Sequence, residues 1–170
     1  MPRSERQPDF DNQACRNRWN FEVSYAANRS DRPVEDLERL LSKLDNQQEA
    51  REDWPYYNDV RWRMAEALLK HDRPGLAFDA HGGIDDPRQV IRSWESFSEY
   101  GYMSPDEVVK GGVRLALEQD DPFEEMVTWE RLVTFCQART DSNTLAEIQV
   151  YCNDSRQRWQ ELGAVRKAGR

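Results

Sequence analysis

Apolar residues recur along this chain at intervals of three and four, the spacing of helices that bury one face. The densest stretch is 122–138, where Phe123, Met126, Val127, Trp129, Leu132, Val133, Phe135 and Cys136 cover more than half of a helical circumference. A helix patterned this way is covered on several sides and should sit at the centre of the fold. Between 33 and 50, Leu37, Leu40, Leu41 and Leu44 form a single stripe opposite a charged face. Asp53, Trp54 and Pro55 open a further helix to about Lys70, with Tyr57, Val60, Met64, Ala67 and Leu68 inward and Trp62 and Leu69 widening that face. A short helical turn through Leu76, Ala77 and Phe78 follows. In the last helix Leu145, Ile148, Cys152, Ser155, Trp159 and Leu162 make a narrow heptad seam, which Gly163 is expected to end. Trp19, Phe21, Val23 and Tyr25 alternate with polar residues as in a strand, but Cys15, Trp19, Val23 and Ala26 share a helical face. A lone strand would leave its backbone groups unpaired, so helix is preferred there.

Three of the predicted helices begin alike, at Asp86-Pro87, Ser104-Pro105 and Asp121-Pro122, each with Gln or Glu three residues after the cap. This is the pattern of a capping box with proline in the first turn. The caps lie 18 and 17 residues apart, which leaves room for a helix of about a dozen residues and a short turn, so neighbours should form antiparallel hairpins. Gly111-Gly112 weakens the middle helix by roughly 1 kcal/mol per glycine, and close approach of a neighbour, under Trp94 or Trp129, would offset that. The pairing is similar to that of tetratricopeptide arrays at Trp94, Phe97, Gly101, Ala116, Leu117 and Pro122. The glycine pair departs from their consensus and no second copy is present, so the similarity extends only to stacked helical hairpins. The expected architecture is all-α, a compact bundle of about six or seven antiparallel helices. Residues 1–10 are read as a flexible lead-in, 11–163 as a single helical domain and 164–170 as a basic tail.

Charged residues make up 33% of the 170, yet six Trp, six Tyr and six Phe supply the apolar area that a disordered chain lacks. The net charge of -8 argues against nucleic acid as the main ligand, because phosphate binding needs clustered Lys and Arg. Charge is unevenly spread. Glu118, Asp120, Asp121, Glu124, Glu125 and Glu130 occur with no basic residue among them, whereas 156–170 holds five basic residues and one acidic. Cys15, Cys136 and Cys152 have no metal-ligand spacing and are odd in number, and no apolar run has membrane-spanning length. Both features suit a cytoplasmic protein.

The stretch most suggestive of catalysis is 71–86, where His71, Asp72, Asp79, His81, Asp85 and Asp86 surround a glycine-containing break. His71-Asp72 at a helix end resembles the metal-binding dipeptide of HD phosphohydrolases, in which imidazole and carboxylates hold divalent metals that activate water. Those enzymes need further histidines on other helices, and this chain has only His71 and His81. Glu49 with Glu52, and Glu118 with Asp121, match by letter the ExxE and ExxD pairs of helical pyrophosphatases, but their separation is too long for that family. No nucleophile elbow, phosphate-cradling glycine loop or cysteine near a histidine is present, and no cofactor is expected.

The preferred function is therefore a non-catalytic protein-binding domain of inhibitor, immunity or adaptor type that meets a basic partner protein. Its contact residues would be Asp120, Asp121, Glu124 and Glu125, with Trp54, Tyr56 and Tyr57 as aromatic anchors. One alternative is a metal-dependent hydrolase of a phosphorylated small molecule, with His71, Asp72, His81 and Asp85 as ligands. Another is a structural homo-oligomer joined through the 145–162 seam or the 19–25 segment.

Overall fold

The computed structural model describes residues 7–47 and 56–168, and among them all regular structure is helical. In chain order these are α1 (Gln7–Arg29), α2 (Pro33–Asp45), α3 (Tyr57–Lys70), α4 (Pro74–Gly82), α5 (Pro87–Glu99), α6 (Pro105–Leu117), α7 (Pro122–Arg139) and α8 (Ser142–Ala168). The eighth helix beyond the expected six or seven is α4, which runs for nine residues where the sequence suggests one turn. None of the described helices is long and apolar enough to cross a membrane. The chain divides into two compact units, 1–89 and 90–170.

In the first unit α1, α2 and α3 pack on one another and α4 packs on α3. Residues 19–25 are helical, and Trp19, Val23 and Ala26 are buried as their shared face requires. Asn28 and Ala27, late in α1, bond to Lys70 and His71 at the end of α3, whereas Arg16, earlier in α1, reaches Asp59 near the start of α3, so these two helices run parallel. The leucine stripe of α2 and the whole predicted inner face of α3 are buried, including Trp62 and Leu69. At the end of α3, Asp72 adopts the left-handed conformation, φ 56°, and the Arg73 amide donates back to the Leu68 carbonyl at 3.0 Å. That is the role usually taken by a C-terminal glycine.

One polar group lies at the centre of this unit. Arg61, on α3, is 3% exposed. Its Nε donates to Tyr57 Oη at 2.7 Å, Nη1 donates to the Ala80 carbonyl at 3.1 Å near the end of α4, and Nη2 pairs with Asp45 at the end of α2. Gly83 closes over the guanidinium, and a Cβ there would overlap it.

The second unit is layered on α7, which packs between α6 and α8. Ile91, Val108, Ala116, Trp129, Leu132, Phe135, Cys136, Ile148 and Cys152 form one buried cluster. Phe123 touches Trp159 and Trp129 stacks on Tyr151, so α7 and α8 run antiparallel. Ion pairs of Arg131 with Glu95 and of Arg139 with Glu99 set α5 parallel to α7. The glycine pair of α6 is explained by two neighbours. A Cβ at Gly111 would come within 2.9 Å of the Trp94 ring, and one at Gly112 within 2.7 Å of Leu132; Leu132, rather than Trp129, is the second neighbour.

Of the three expected capping boxes, Ser104 with Glu107 is complete. Asp121 accepts from the amides of Phe123 and Glu124, and Asp86 from those of Arg88 and Gln89, each without the reciprocal bond. Three boundary expectations change. Helix α1 begins at Gln7, within the predicted lead-in. Leu117, which the helical spacing of Val108, Val109, Gly112, Val113 and Ala116 would carry into the core, is 65% exposed because α6 ends on it. Gly163 does not end α8, which continues to Ala168 through what was read as the basic tail.

Candidate functional site

Four of the seven predicted contact residues fall on the α6–α7 turn and the start of α7, but their roles differ. Asp120 and Asp121 are exposed and Glu124 is half-buried. Asp121 Oδ1 accepts from the amides of Phe123 at 2.7 Å and Glu124 at 3.2 Å, so it holds the positive end of the helix dipole as well as presenting charge. Glu125 is not a surface residue: it is 9% exposed, takes the indole N–H of Trp129 and pairs with Arg158 of α8 at 2.7 Å. Its place one residue after the half-buried Glu124 turns it through about 100° toward α8.

The aromatic anchors fare differently. Tyr57 is buried at 1% exposure and its hydroxyl accepts from Arg61, which removes it from the surface. Tyr56 is half-buried with the Arg16 guanidinium over its ring at 4.6 Å. Trp54 lies outside the described residues. Tyr56 and Tyr57 belong to the first unit, while the acidic residues belong to the second.

Two different aromatics accompany the acids. Phe123, 39% exposed, lies in the first turn of α7 and packs on Trp159 of α8 with ring centroids 5.4 Å apart. Beyond Trp159, α8 runs on for nine residues, a projection of about 13 Å at the usual helical rise, past the point where α7 begins. Leu162 is 41% and Val165 71% exposed on this projection, and with Arg158 and Glu161 they line a shallow groove of about 370 Å³. Sequence reading found the seam as far as Leu162. It missed the exposed continuation because Gly163 is a familiar helix terminator.

Charge around this end is sorted. Glu125 and Glu130 are neutralised by Arg158 and Arg156 of α8, at 2.7 and 2.8 Å. Among the described residues, Glu118, Asp120 and Glu124 make no ion pair with another residue. The basic excess of 156–170 is thus partly spent on the acidic run, and the negative charge left over is concentrated at the α6–α7 turn.

The alternative ligand set is not assembled. His71 Nε2 donates to the Ala27 carbonyl at 2.7 Å and Asp72 forms the left-handed end of α3. Asp85 is joined to Asn58 by two hydrogen bonds: Asn58 Nδ2 donates to Asp85 Oδ1 at 2.7 Å, and the Asp85 backbone N–H donates to Asn58 Oδ1 at 3.0 Å. His81 is mostly buried, and that burial pushes its imidazole below the ordinary histidine range. Among the described residues no group of three or more His, Cys, Asp or Glu is placed to hold a metal ion. Cys136 and Cys152 are buried, and desolvation pushes both thiols up, the setting of inert core cysteines.

Comparison with protein families, with curated proteins and with solved structures finds no match to this chain.

Proposed function

We propose that the chain is a protein-binding domain, of inhibitor, immunity or adaptor type, that engages a basic partner through the end of its second unit. The observation that supports this reading is the surface of exposed Phe123, Leu162 and Val165 with the half-buried Trp159, near Glu118, Asp120, Asp121 and Glu124 in the turn that leads into α7. Aromatic and aliphatic area supplies the desolvated centre of an interface, and carboxylates at its edge steer and orient a cationic partner. Asp120, Asp121 and Glu124 remain contact residues in this reading, joined by Glu118. Phe123 and Trp159 take the place of Tyr57 as anchors.

The geometry also defines a clean test. Asp121 caps α7 and Glu125 is a buried ion-pair partner, so reversing either would disturb the fold along with the surface. The triple variant Glu118→Lys, Asp120→Lys, Glu124→Lys avoids both. Affinity capture from host lysate at low and moderate salt should recover a basic protein with the wild-type chain and lose it with the triple variant, while both chains melt alike. A partner retained equally by both chains at low salt would overturn the assignment.

A further inference from the structure

The first unit carries an aromatic face that its own packing leaves in solvent. On α1, Trp19, Val23 and Ala26 are buried, and Phe21 and Tyr25 stand on the opposite side of the helix, 69% and 52% exposed, with ring centroids 6.2 Å apart. One turn further along, Asn28 accepts from Lys70 Nζ at 2.6 Å, which holds an exposed ammonium near the end of α1 that bears the exposed Arg29. Arg18, which also pairs with Glu22 within α1, lies on the other side of the aromatic pair. Between Gln13 and Arg29 none of the exposed residues of α1 is acidic, in a chain whose net charge is -8. An aromatic centre with cations at both ends suits a partner surface that is apolar and acidic.

The second unit displays the complementary set. Leu117 is 65% and Phe123 39% exposed. Glu118 and Asp120 lie between them in sequence and Glu124 follows, and among the described residues none of these three makes an ion pair with another residue. Pairing of the α1 face with itself would instead set cation against cation. With two α1 helices antiparallel, Arg29 of one copy comes opposite the turn bearing Arg18 of the other; with them parallel, each arginine meets its equal. Like charges so placed oppose association. Resting on the reading of the α6–α7 end as a protein-binding surface, we infer that its basic occupant is the α1 face of a second copy. Phe21 and Tyr25 of one copy meet Leu117 and Phe123 of the other, and Arg18, Arg29 and Lys70 meet the carboxylates around them. The contact joins two different faces, so it repeats from copy to copy until a ring closes.

The test is the mass in solution of the full-length chain, by light scattering over a range of concentrations and salt, with the fold of every variant matched to wild type by circular dichroism. With rising concentration the average mass of the wild type should reach twice that of one chain or more, and it should fall as salt screens the charge pairs. Phe21→Ser, a change at an exposed position, should raise the dissociation constant by at least about tenfold. The acid reversal Glu118→Lys, Asp120→Lys, Glu124→Lys should do the same, as should the base reversal Arg29→Glu, Lys70→Glu. Mixed in equal amounts, the two reversed chains should associate with each other, because the native acidic turn of one meets the native α1 face of the other. A mixture no heavier than its separate components overturns the pairing. A wild-type assembly that survives both Phe21→Ser and the base reversal overturns α1 as the occupant. A wild type that stays monomeric throughout, yet captures from host lysate a basic protein that the acid reversal loses, overturns the second copy and leaves the protein-binding reading standing. A monomer whose captured proteins ignore the acid reversal overturns both.

Discussion

At the scale of single residues, the second unit is governed by how closely α6 approaches its neighbours. Gly111 and Gly112 both gain helix propensity on replacement by alanine, about 1 kcal/mol each, but they face different obstacles. Gly112 is buried beneath Leu132, itself 0% exposed in the core cluster, so the added methyl has nowhere to push and overpacking of about 1–3 kcal/mol should win. Gly111 meets the edge of Trp94, a half-buried ring with solvent to move toward. Urea denaturation should therefore show Gly112→Ala clearly destabilised and Gly111→Ala near neutral; equal effects would mean that Leu132 yields as readily as Trp94. Phe135 is the opposite case, a large ring with 0% exposure. Phe135→Ala should cost about 3–5 kcal/mol by lost transfer and cavity formation, and an unchanged melting temperature would show that α7 is not the core. Arg61 tests polar burial. Its planar fork serves Tyr57, Asp45 and the Ala80 carbonyl together, and a lysine has one nitrogen to offer in their place. Arg61→Lys should lose about 2–4 kcal/mol despite keeping the charge, and wild-type stability in that variant would show that the fork is dispensable.

At the scale of elements, helices were legible wherever a cap and a period coincided. Ser104, Pro105 and Glu107 mark the start of α6, and Asp121 with Pro122 that of α7, because capping is a contact among near neighbours in sequence. The face of a helix was equally plain where apolar residues recur strictly, as in α2. What could not be read was the environment of residues whose partners lie far along the chain. Glu125 looks like Glu124 until Arg158, far along the chain, is placed beside it. Leu117 fits the buried period of α6 and fails only because the helix ends there. The acidic part of the candidate site was therefore visible as composition, while its anchors, Phe123 with Trp159, needed the packing of α7 on α8. Gly163 shows how a rule for ends can mislead: it sits inside α8, and a Cβ there would meet nothing within 4 Å. Gly163→Ala should accordingly raise stability by up to about 1 kcal/mol, read as a higher denaturation midpoint and more helical circular dichroism. A loss would mean that α8 stops at that glycine.

At the scale of the whole molecule, the titratable groups divide acid sensitivity into two ranges of pH. His81 in the first unit is held below its ordinary value by burial, so the unfolded chain takes up a proton near pH 6.5 before the folded chain does. Stability from neutral His81 is complete above that pH and falls as pH drops from about 6.5 toward the depressed folded value, below which no more is lost. The carboxylates act lower. The Ser30 hydroxyl holds Asp36 down, the Ser104 backbone N–H holds Glu107 down, and the Thr144 backbone N–H holds Asp141 down. Their contribution persists above the ordinary carboxylate range near pH 4 and disappears as pH falls through their lowered folded values. Denaturation midpoints measured from about pH 8 to pH 3 should thus decline in two stages. His81→Gln removes the titrating group while leaving Asp36, Glu107 and Asp141 in place, so it should flatten the upper stage and spare the lower one. If the variant and the wild type lose stability in parallel between pH 6.5 and 5, protonation of the buried imidazole is not what opposes folding there. Because His81 belongs to the first unit and Asp141 to the second, the two stages should also be separable by which unit's amides lose protection from hydrogen exchange first.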